Sequence, residues 1–209
     1  MITIIDYGYG NIFSILSAFN KIGHKCIVTN QENDIKKSSI IVLPGVGSFN
    51  QAMKALKKKK LDKIIKQLVK ENKKIIGICL GYQMLFSKSN EFGLHDGLDI
   101  IEGEVKSLDL YNKGSFKIPN VGWRSLIINS KNNIINNEFD SRMFYFVHSF
   151  VPEAKDLSKV SSFIKFNDTL IHASLHYKNI VGFQFHPEKS GVDGLNLLSN
   201  SVDYLLNKV

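Results

Sequence analysis

Apolar residues fall along this chain in two rhythms. In the first half, short apolar runs alternate with stretches at helical spacing. Residues 2–5 (ITII) predict a buried strand, and DYGYGN after them a turn. Ile12, Ile15, Leu16, Phe19 and Ile22 recur on one helical face, with Gly23 as the stop. KCIVT predicts a second strand and SIIVLP a third. SFNQAMKALKKKK and LDKIIKQLVKEN predict one broken helix or two. KIIGI is a further buried strand, and LGYQMLFSKS the helix after it. This β-α-β alternation predicts an α/β fold: an open, mostly parallel twisted sheet flanked by helices.

The second half changes rhythm. Between Ile100 and Phe185 the runs are short and strand-like: DIIEGEVKSL, VGWRSLIIN, RMFYFVHSF, KVSSFIKF, LIHASLHY and NIVGFQF. They predict an additional antiparallel portion in the C-terminal half. The polar stretch NSKNNIINNEF reads as a surface loop. A last helix over residues 192–207 carries Leu195, Leu198, Val202 and Leu205 on one face. No internal repeat or linker interrupts the pattern, so residues 1–209 are expected to form a single domain.

Composition narrows the class. The 209 residues are 44% hydrophobic and 22% charged, enough for a full core and a solvated surface. No stretch approaches the roughly 18 consecutive apolar residues of a membrane span. The start, MITIIDYGYGN, has no basic n-region and no small-residue cleavage site, so no secretory signal is expected. Two cysteines, Cys26 and Cys79, make no disulfide framework, which points to a reducing, cytoplasmic setting. The net charge is +8, much of it between Lys54 and Lys74. Such a run is read as a solvated helix face. A nucleic-acid groove would interleave aromatics with the basic residues, and this stretch has none. An acidic protein partner, or steering of an anionic substrate, stays open.

Chemistry concentrates where KIIGI ends. The run Gly77-Ile78-Cys79-Leu80-Gly81 has the logic of a nucleophile elbow: strand, sharp turn, helix, with the reactive atom at the apex. Glycines two positions either side leave room for the turn. Unpaired backbone N–H groups at a helix start favour thiolate over thiol, and the N–H of Leu80 can face a developing oxyanion. A lone cysteine in apolar surroundings is more often inert core, which is the reading given to Cys26.

A thiol nucleophile needs a base. Of six histidines, His24, His95, His172 and His176 sit in ordinary polar or alternating contexts, and His148 is ambiguous. His186 stands in GFQFHPEKSG with Glu188 two residues on. In an extended segment those two side chains share a side, and Pro187 stiffens the arrangement. Cys79, His186 and Glu188 therefore suit acyl transfer, with the carboxylate holding the imidazole. A metal site is a rival, but no Cys-x-x-Cys or His-Glu-x-x-His spacing is present. A dinucleotide loop at YGYGNIF is another. It offers Gly8 and Gly10 but has Phe13 at the third glycine position.

GICLGYQ, with FHPEKS far downstream, resembles the class I, triad-type glutamine amidotransferases. With DYGYGNI, LPGVGSFNQAM, VGW and YFVHSF, the resemblance runs over nearly the whole chain and is similar to the glutaminase subunits of imidazole glycerol phosphate synthase. The resemblance implies that Cys79 attacks L-glutamine, that His186 moves the proton to the leaving ammonia, and that Glu188 orients it. It implies that Gly45, Val46, Gly47 and Leu80 supply the oxyanion site, and that Gln83, Ser149 and Phe150 hold substrate. No cofactor and no metal are implied. The partner implied is a (β/α)8-barrel cyclase or synthase that takes the ammonia internally, with Asn11, Asn120, Trp123, Tyr145 and Lys189 at or near the docking face; for Trp123, core packing is an equal alternative. One departure stands out. The family usually reads Pro-His before Gly-Trp and asparagine after it, where this chain has Pro119-Asn120-Val121-Gly122-Trp123-Arg124. That leaves open a synthase of surface-sugar amidation as the recipient. A non-catalytic binding subunit that kept the fold is the reading of another class.

Overall fold

The parallel sheet grows from runs that are apolar on both faces. In the computed structural model, which describes residues 1–112, 117–129 and 134–207, β1 (Ile2–Ile5) leads to α1 (Ile12–Lys21), β2 (Cys26–Thr29), α2 (Glu32–Lys37) and β3 (Ile40–Leu43). Two helices follow, α3 (Phe49–Lys58) and α4 (Leu61–Lys70), then β4 (Lys74–Ile78) and the single turn α5 (Leu80–Gln83). The basic run is thus two helices, broken at Lys60, whose φ of 58° is left-handed. Asn11 caps α1, its side chain accepting from the Ser14 N–H at 3.3 Å.

Next come β5 (Phe86–Ser89), β6 (His95–Asp96), β7 (Ile101–Ser107), β8 (Asn120–Ser125), β9 (Ile127–Ile128), β10 (Met143–His148), β11 (Phe150–Ala154), β12 (Val160–Phe166), β13 (Thr169–Tyr177) and β14 (Ile180–Phe183). The closing helix is α6 (Gly191–Asn207). The main sheet has the order β2-β1-β3-β4-β14-β13-β12-β9; it is parallel from β2 to β14 and antiparallel beyond. A second sheet runs β11-β7-β5-β6, and β10 pairs with β8 as a separate antiparallel ribbon.

Side chains of successive strand residues point to opposite faces, and the core divides accordingly. Ile2, Ile4, Ile40, Val42, Ile76 and Ile78 pack with Phe19 of α1 and Leu197, Leu198 and Val202 of α6. Ile5, Ile41, Leu43 and Ile75 pack on the other face with Leu56, Ile65 and Leu68 of α3 and α4, and with Phe86 and Val105 of the second sheet.

Three local expectations change. LGYQMLFSKS is not one helix: the helix ends at Gln83, and Phe86–Ser89 is a strand. Met84, Leu85 and Phe86 are all fully buried, and the Met84 and Leu85 carbonyls are taken by the N–H groups of Leu98, Ile100 and Ile101. Tertiary pairing overrides the helical pattern. NIVGFQF, expected among the antiparallel strands, forms β14, which pairs antiparallel with β13 on one side and in parallel with β4 on the other. Helix α2 was not anticipated, because Ile35 is its one apolar residue; Glu32 and Lys36 pair along it. In the stretch read as a polar loop, residues 130–133 lie outside the described residues, while Ile134, Ile135 and Phe139 are buried. Among the described residues, no helix is long and apolar enough to cross a membrane.

Candidate active site

Cys79 stands between β4 and α5 with φ 54° and ψ −113°, a backbone conformation L side chains seldom adopt. Its surroundings enforce it. The Cys79 N–H donates to the Phe183 carbonyl at 2.7 Å, and its carbonyl accepts from the Gln83 N–H at 3.1 Å. Gly77 and Gly182 face each other across β4 and β14 and form a slot for the buried Tyr82 ring; a Cβ on Gly182 would lie 2.1 Å from that ring. The chain turns tightly there because no side chain occupies the space that Tyr82 fills.

His186 is delivered from the end of β14, beside the strand that carries Cys79. Its N–H donates to the Tyr145 carbonyl at 2.9 Å. Ser190 closes a second tie, accepting from the Tyr145 N–H at 3.0 Å and donating to the His186 carbonyl at 2.6 Å. His186 Nδ1 lies 2.7 Å from Glu188 Oε1, and both side chains are almost wholly buried. Among the described residues, Nε2 of His186 has no hydrogen-bond partner. The Cys79 thiol instead lies 3.9 Å from the Val147 carbonyl, and Gln184 Nε2 lies 3.9 Å from the sulfur. Thiol and imidazole face the same cleft, close enough for the sulfur to act on the ring. Burial opposes a charged His186 ring, yet attraction to Cys79 and Glu188 outweighs it and pushes the His186 pKa up to about 10.

Cys79 and His186 open on one cleft of about 470 Å³. Of the residues read from sequence as substrate or oxyanion groups, Val46, Gly47, Leu80, Gln83, Ser149 and Phe150 line it. Gly45 lies just beneath, packed against Leu80 and Gly81. The Tyr7 hydroxyl donates to the Pro44 carbonyl at 2.7 Å, so the DYGYGN turn buttresses the Pro44–Gly47 segment. Burial, helped by the nearby Cys79, pushes the Tyr7 pKa well above the ordinary tyrosine range, so the hydroxyl stays protonated.

Residue spacing gave no signal for several members of this cleft. Glu91 is buried, and its carboxylate accepts from the Phe49 N–H at 2.6 Å, at the start of α3. Burial raises its pKa. Phe92 is exposed at the mouth and meets Phe150 edge-on. Gln184 lies under Cys79, and His148 forms part of the wall. Burial, with the nearby His186 and Arg124, lowers the His148 pKa to about 4 against an opposing hydrogen bond to Phe150, so His148 is neutral. His172, by contrast, is structural: its Nδ1 accepts from the Ala154 N–H.

The expected docking residues divide. Trp123 and Tyr145 are cross-strand partners whose rings meet edge-to-face, centroids 6.1 Å apart. Trp123 is 46% exposed, so it is not a core residue. Lys189 is exposed and Asn11 half-buried. Asn120 is fully buried, because the alternation along β8 turns it inward with Arg124 while Val121 and Trp123 face out.

A nucleophile at a strained strand-to-helix turn, an imidazole in the same cleft and a carboxylate on that imidazole can together perform acyl transfer. The family model for glutamine amidotransferase class-I matches residues 3–204. The chain belongs to the class-I glutamine amidotransferases. Among its relatives, imidazole glycerol phosphate synthase subunit HisH of Oceanobacillus iheyensis is 38% identical over 95% of this chain and 96% of its own. Subunit HisH 2 of Vibrio vulnificus is 40% identical over 98% and 94%. The solved structure of PurLQS from Thermotoga maritima shares the amidotransferase fold at 19% identity, with a TM-score of 0.73 over 98% of both chains.

Proposed function

We propose that this amidotransferase is the glutaminase subunit of an imidazole glycerol phosphate synthase of histidine biosynthesis, and that residues 1–209 form its one domain. The observation that carries the glutaminase reading is the cleft shared by Cys79 and His186, with Glu188 at 2.7 Å behind the ring. The relatives' identity over nearly their full length supports the synthase.

In this reading Cys79, as thiolate, attacks the carboxamide carbon of L-glutamine. The C–S bond forms and the carbonyl oxygen becomes an oxyanion. Backbone N–H groups at Leu80 and along Gly45–Gly47 receive that charge. As the intermediate collapses, the C–N bond breaks and His186 gives its proton to the leaving nitrogen, releasing ammonia. His186, now neutral, takes a proton from water as it attacks the thioester. Glutamate leaves and the thiol is restored. Glu188 keeps Nδ1 protonated, so that Nε2 does the proton transfer. Gln83, Ser149 and Phe150 hold the substrate, and Glu91 faces its α-ammonium group.

Ammonia released into water at neutral pH is mostly ammonium, which is not a nucleophile. The relatives are named as synthase subunits, and a partner subunit is read here as a (β/α)8-barrel cyclase docking over the cleft mouth. The apolar residues exposed at the mouth and on the adjoining ribbon, Val46, Phe92, Val121, Trp123 and Val147, suit such a lid. The Asn120 and Arg124 departure favours a second reading, the same chemistry feeding a surface-sugar amidotransferase.

Glutamate release, measured with each synthase and its ligand, tests the assignment. Strong activation by the histidine-pathway barrel is expected, together with labelling of Cys79 by a glutamine-like electrophile. Turnover by Cys79→Ala would refute the mechanism. Absence of labelling even with partner present would favour a non-catalytic subunit, and activation by the sugar synthase alone would favour the second reading.

A further inference from the structure

One wall of the cleft is held by a hydrogen-bond chain that starts outside it. Arg124 Nε donates to Asn120 Oδ1 at 2.9 Å. Asn120 Nδ2 lies 2.9 Å from His148 Nε2, and His148 Nδ1 lies 2.9 Å from the Phe150 carbonyl. The same carbonyl accepts from Gln83 Nε2 at 2.9 Å, and Gln83 also donates to Gln184 Oε1 at 2.9 Å. Gln184 then reaches toward the Cys79 sulfur. Asn120, His148, Gln83 and Gln184 are buried, whereas Arg124 is half-buried and also donates to the Trp123 carbonyl at 3.2 Å.

The two ends of the chain set its direction. A guanidinium only donates and a peptide carbonyl only accepts. Asn120 must therefore turn its oxygen to Arg124 and its N–H to His148 Nε2. His148 must then carry its proton on Nδ1, facing the Phe150 carbonyl. A flipped Asn120 amide would set N–H groups against the guanidinium. It would also draw the ring proton to Nε2, leaving two lone pairs facing each other at Phe150. A doubly protonated ring would set N–H against N–H at Asn120. Each alternative leaves buried polar groups unpaired.

We propose that Arg124 is a positioning residue for amide cleavage: through Asn120 it fixes the His148 ring with its proton on Nδ1, and so holds the Phe150 carbonyl, with Gln83 on it, at the substrate wall. This rests on the glutaminase reading above. Arg124 is not among the residues lining the cleft, so its effect passes through the chain it orients.

The test compares Arg124→Met, Arg124→Lys and Asn120→Asp with wild type, each as the full chain assembled with its synthase partner. The readouts are KM and kcat for glutamine, 15N shifts of the His148 ring nitrogens, and the rate of Cys79 alkylation by iodoacetamide. Arg124→Met is expected to raise KM about 3–10-fold, the loss of roughly one net hydrogen bond at the wall, with kcat changed by less than about twofold. The His148 spectrum should lose its pure Nδ1–H pattern, and alkylation by the small reagent should keep its wild-type rate. Arg124→Lys, which still only donates, should recover part of both KM and spectrum. Asn120→Asp, which offers only acceptors beside Nε2 while the Phe150 carbonyl still accepts at Nδ1, should protonate both ring nitrogens, a pattern distinct from the wild-type Nδ1–H spectrum. Should Arg124→Met not fold, the other two variants decide by the same readouts. An unchanged KM, an unchanged His148 spectrum, or a fall in kcat at constant KM overturns the proposal. Wild type that releases no glutamate with any synthase would instead strike the glutaminase reading, while the ring-nitrogen shifts would still decide what Arg124 does to His148.

Discussion

Gly45 and Gly81 meet backbone to backbone. A Cβ on Gly81 would stand 1.9 Å from the Leu43 carbonyl oxygen, and one on Gly45 would stand 2.5 Å from the Gly81 nitrogen. The end of β3 and the first turn after Cys79 are therefore one packed unit. The two sets of N–H groups assigned to the oxyanion are held at a separation that only glycine permits. Gly81→Ala must push these backbones apart. It is expected to cost about 1–3 kcal/mol, as overpacking does, and to slow labelling of Cys79 by a glutamine-like electrophile at least tenfold. Urea denaturation and mass spectrometry read the two effects. Loss of stability with labelling intact would separate the packing from the chemistry.

The backbone at Cys79 yields a prediction of opposite sign for stability and activity. At φ 54° and ψ −113° the residue is strained by roughly 1–3 kcal/mol. Glycine adopts such angles freely, at an entropic cost of about 0.5–1 kcal/mol. Cys79→Gly should release no glutamate yet be at least as stable as wild type, while Cys79→Ala keeps the strain and should be less stable than Cys79→Gly. Unfolding midpoints of the two variants make the comparison. Equal midpoints would mean that the elbow stores no more strain than the entropic cost of glycine, about 0.5–1 kcal/mol.

These features were unequally legible in the sequence. The parallel half could be read because ITII, SIIVLP and KIIGI are apolar on both faces, and Cys79 could be placed because glycines bracket it at a strand end. The His186–Glu188 pair was suggested by its spacing, but the reason differs from the extended segment expected: Pro187–Lys189 is a 3-10 turn, and that turn brings Glu188 Oε1 to 2.7 Å from His186 Nδ1. Glu91, Gln184 and the role of His148 were not. Each reaches the cleft by tertiary contact, Glu91 by capping a helix 42 positions away in sequence. The burial of Asn120 was not legible in the family resemblance that placed it near the docking face; strand alternation turns it inward. The short strand Phe86–Ser89 was hidden because the fully buried run Met84–Phe86 leads into it and carries no stripe to tell helix from strand.

Protonation of His186 links the proposed catalytic pair to stability. Its pKa in the fold is pushed up to about 10, above the usual 6.5 of the unfolded chain, so the folded state binds that proton more tightly. The stabilisation is fully present below pH 6.5 and fades as the pH rises toward 10. Glu188→Gln removes the buried carboxylate, and breaking such a pair costs about 3 kcal/mol. The gap in unfolding free energy between wild type and Glu188→Gln should therefore be widest at or below pH 6.5 and narrow steadily up to pH 10. Urea titrations at several pH values measure it, and a gap that stays constant or widens would contradict the assignment.

The outer face of the β8–β10 ribbon pairs Val121 with Val147 and Trp123 with Tyr145 in register. Val121, Trp123 and Val147 are exposed, whereas Asn120, Phe144, Phe146 and His148 on the inner face are buried. The same ribbon is wired to the site, since the Tyr145 carbonyl holds the His186 N–H and the Val147 carbonyl lies beside the Cys79 sulfur. A synthase resting on this face would bear on both reacting groups through backbone hydrogen bonds. Trp123→Ala removes the largest apolar surface there without opening a core cavity. It is expected to weaken association with the synthase subunit by about 2 kcal/mol, roughly thirtyfold in Kd, while moving the unfolding midpoint of the isolated chain little. Titration calorimetry against the partner, beside thermal unfolding, tests both halves. An unchanged Kd would move the docking face elsewhere, and a large fall in stability would mean that Trp123 serves the fold.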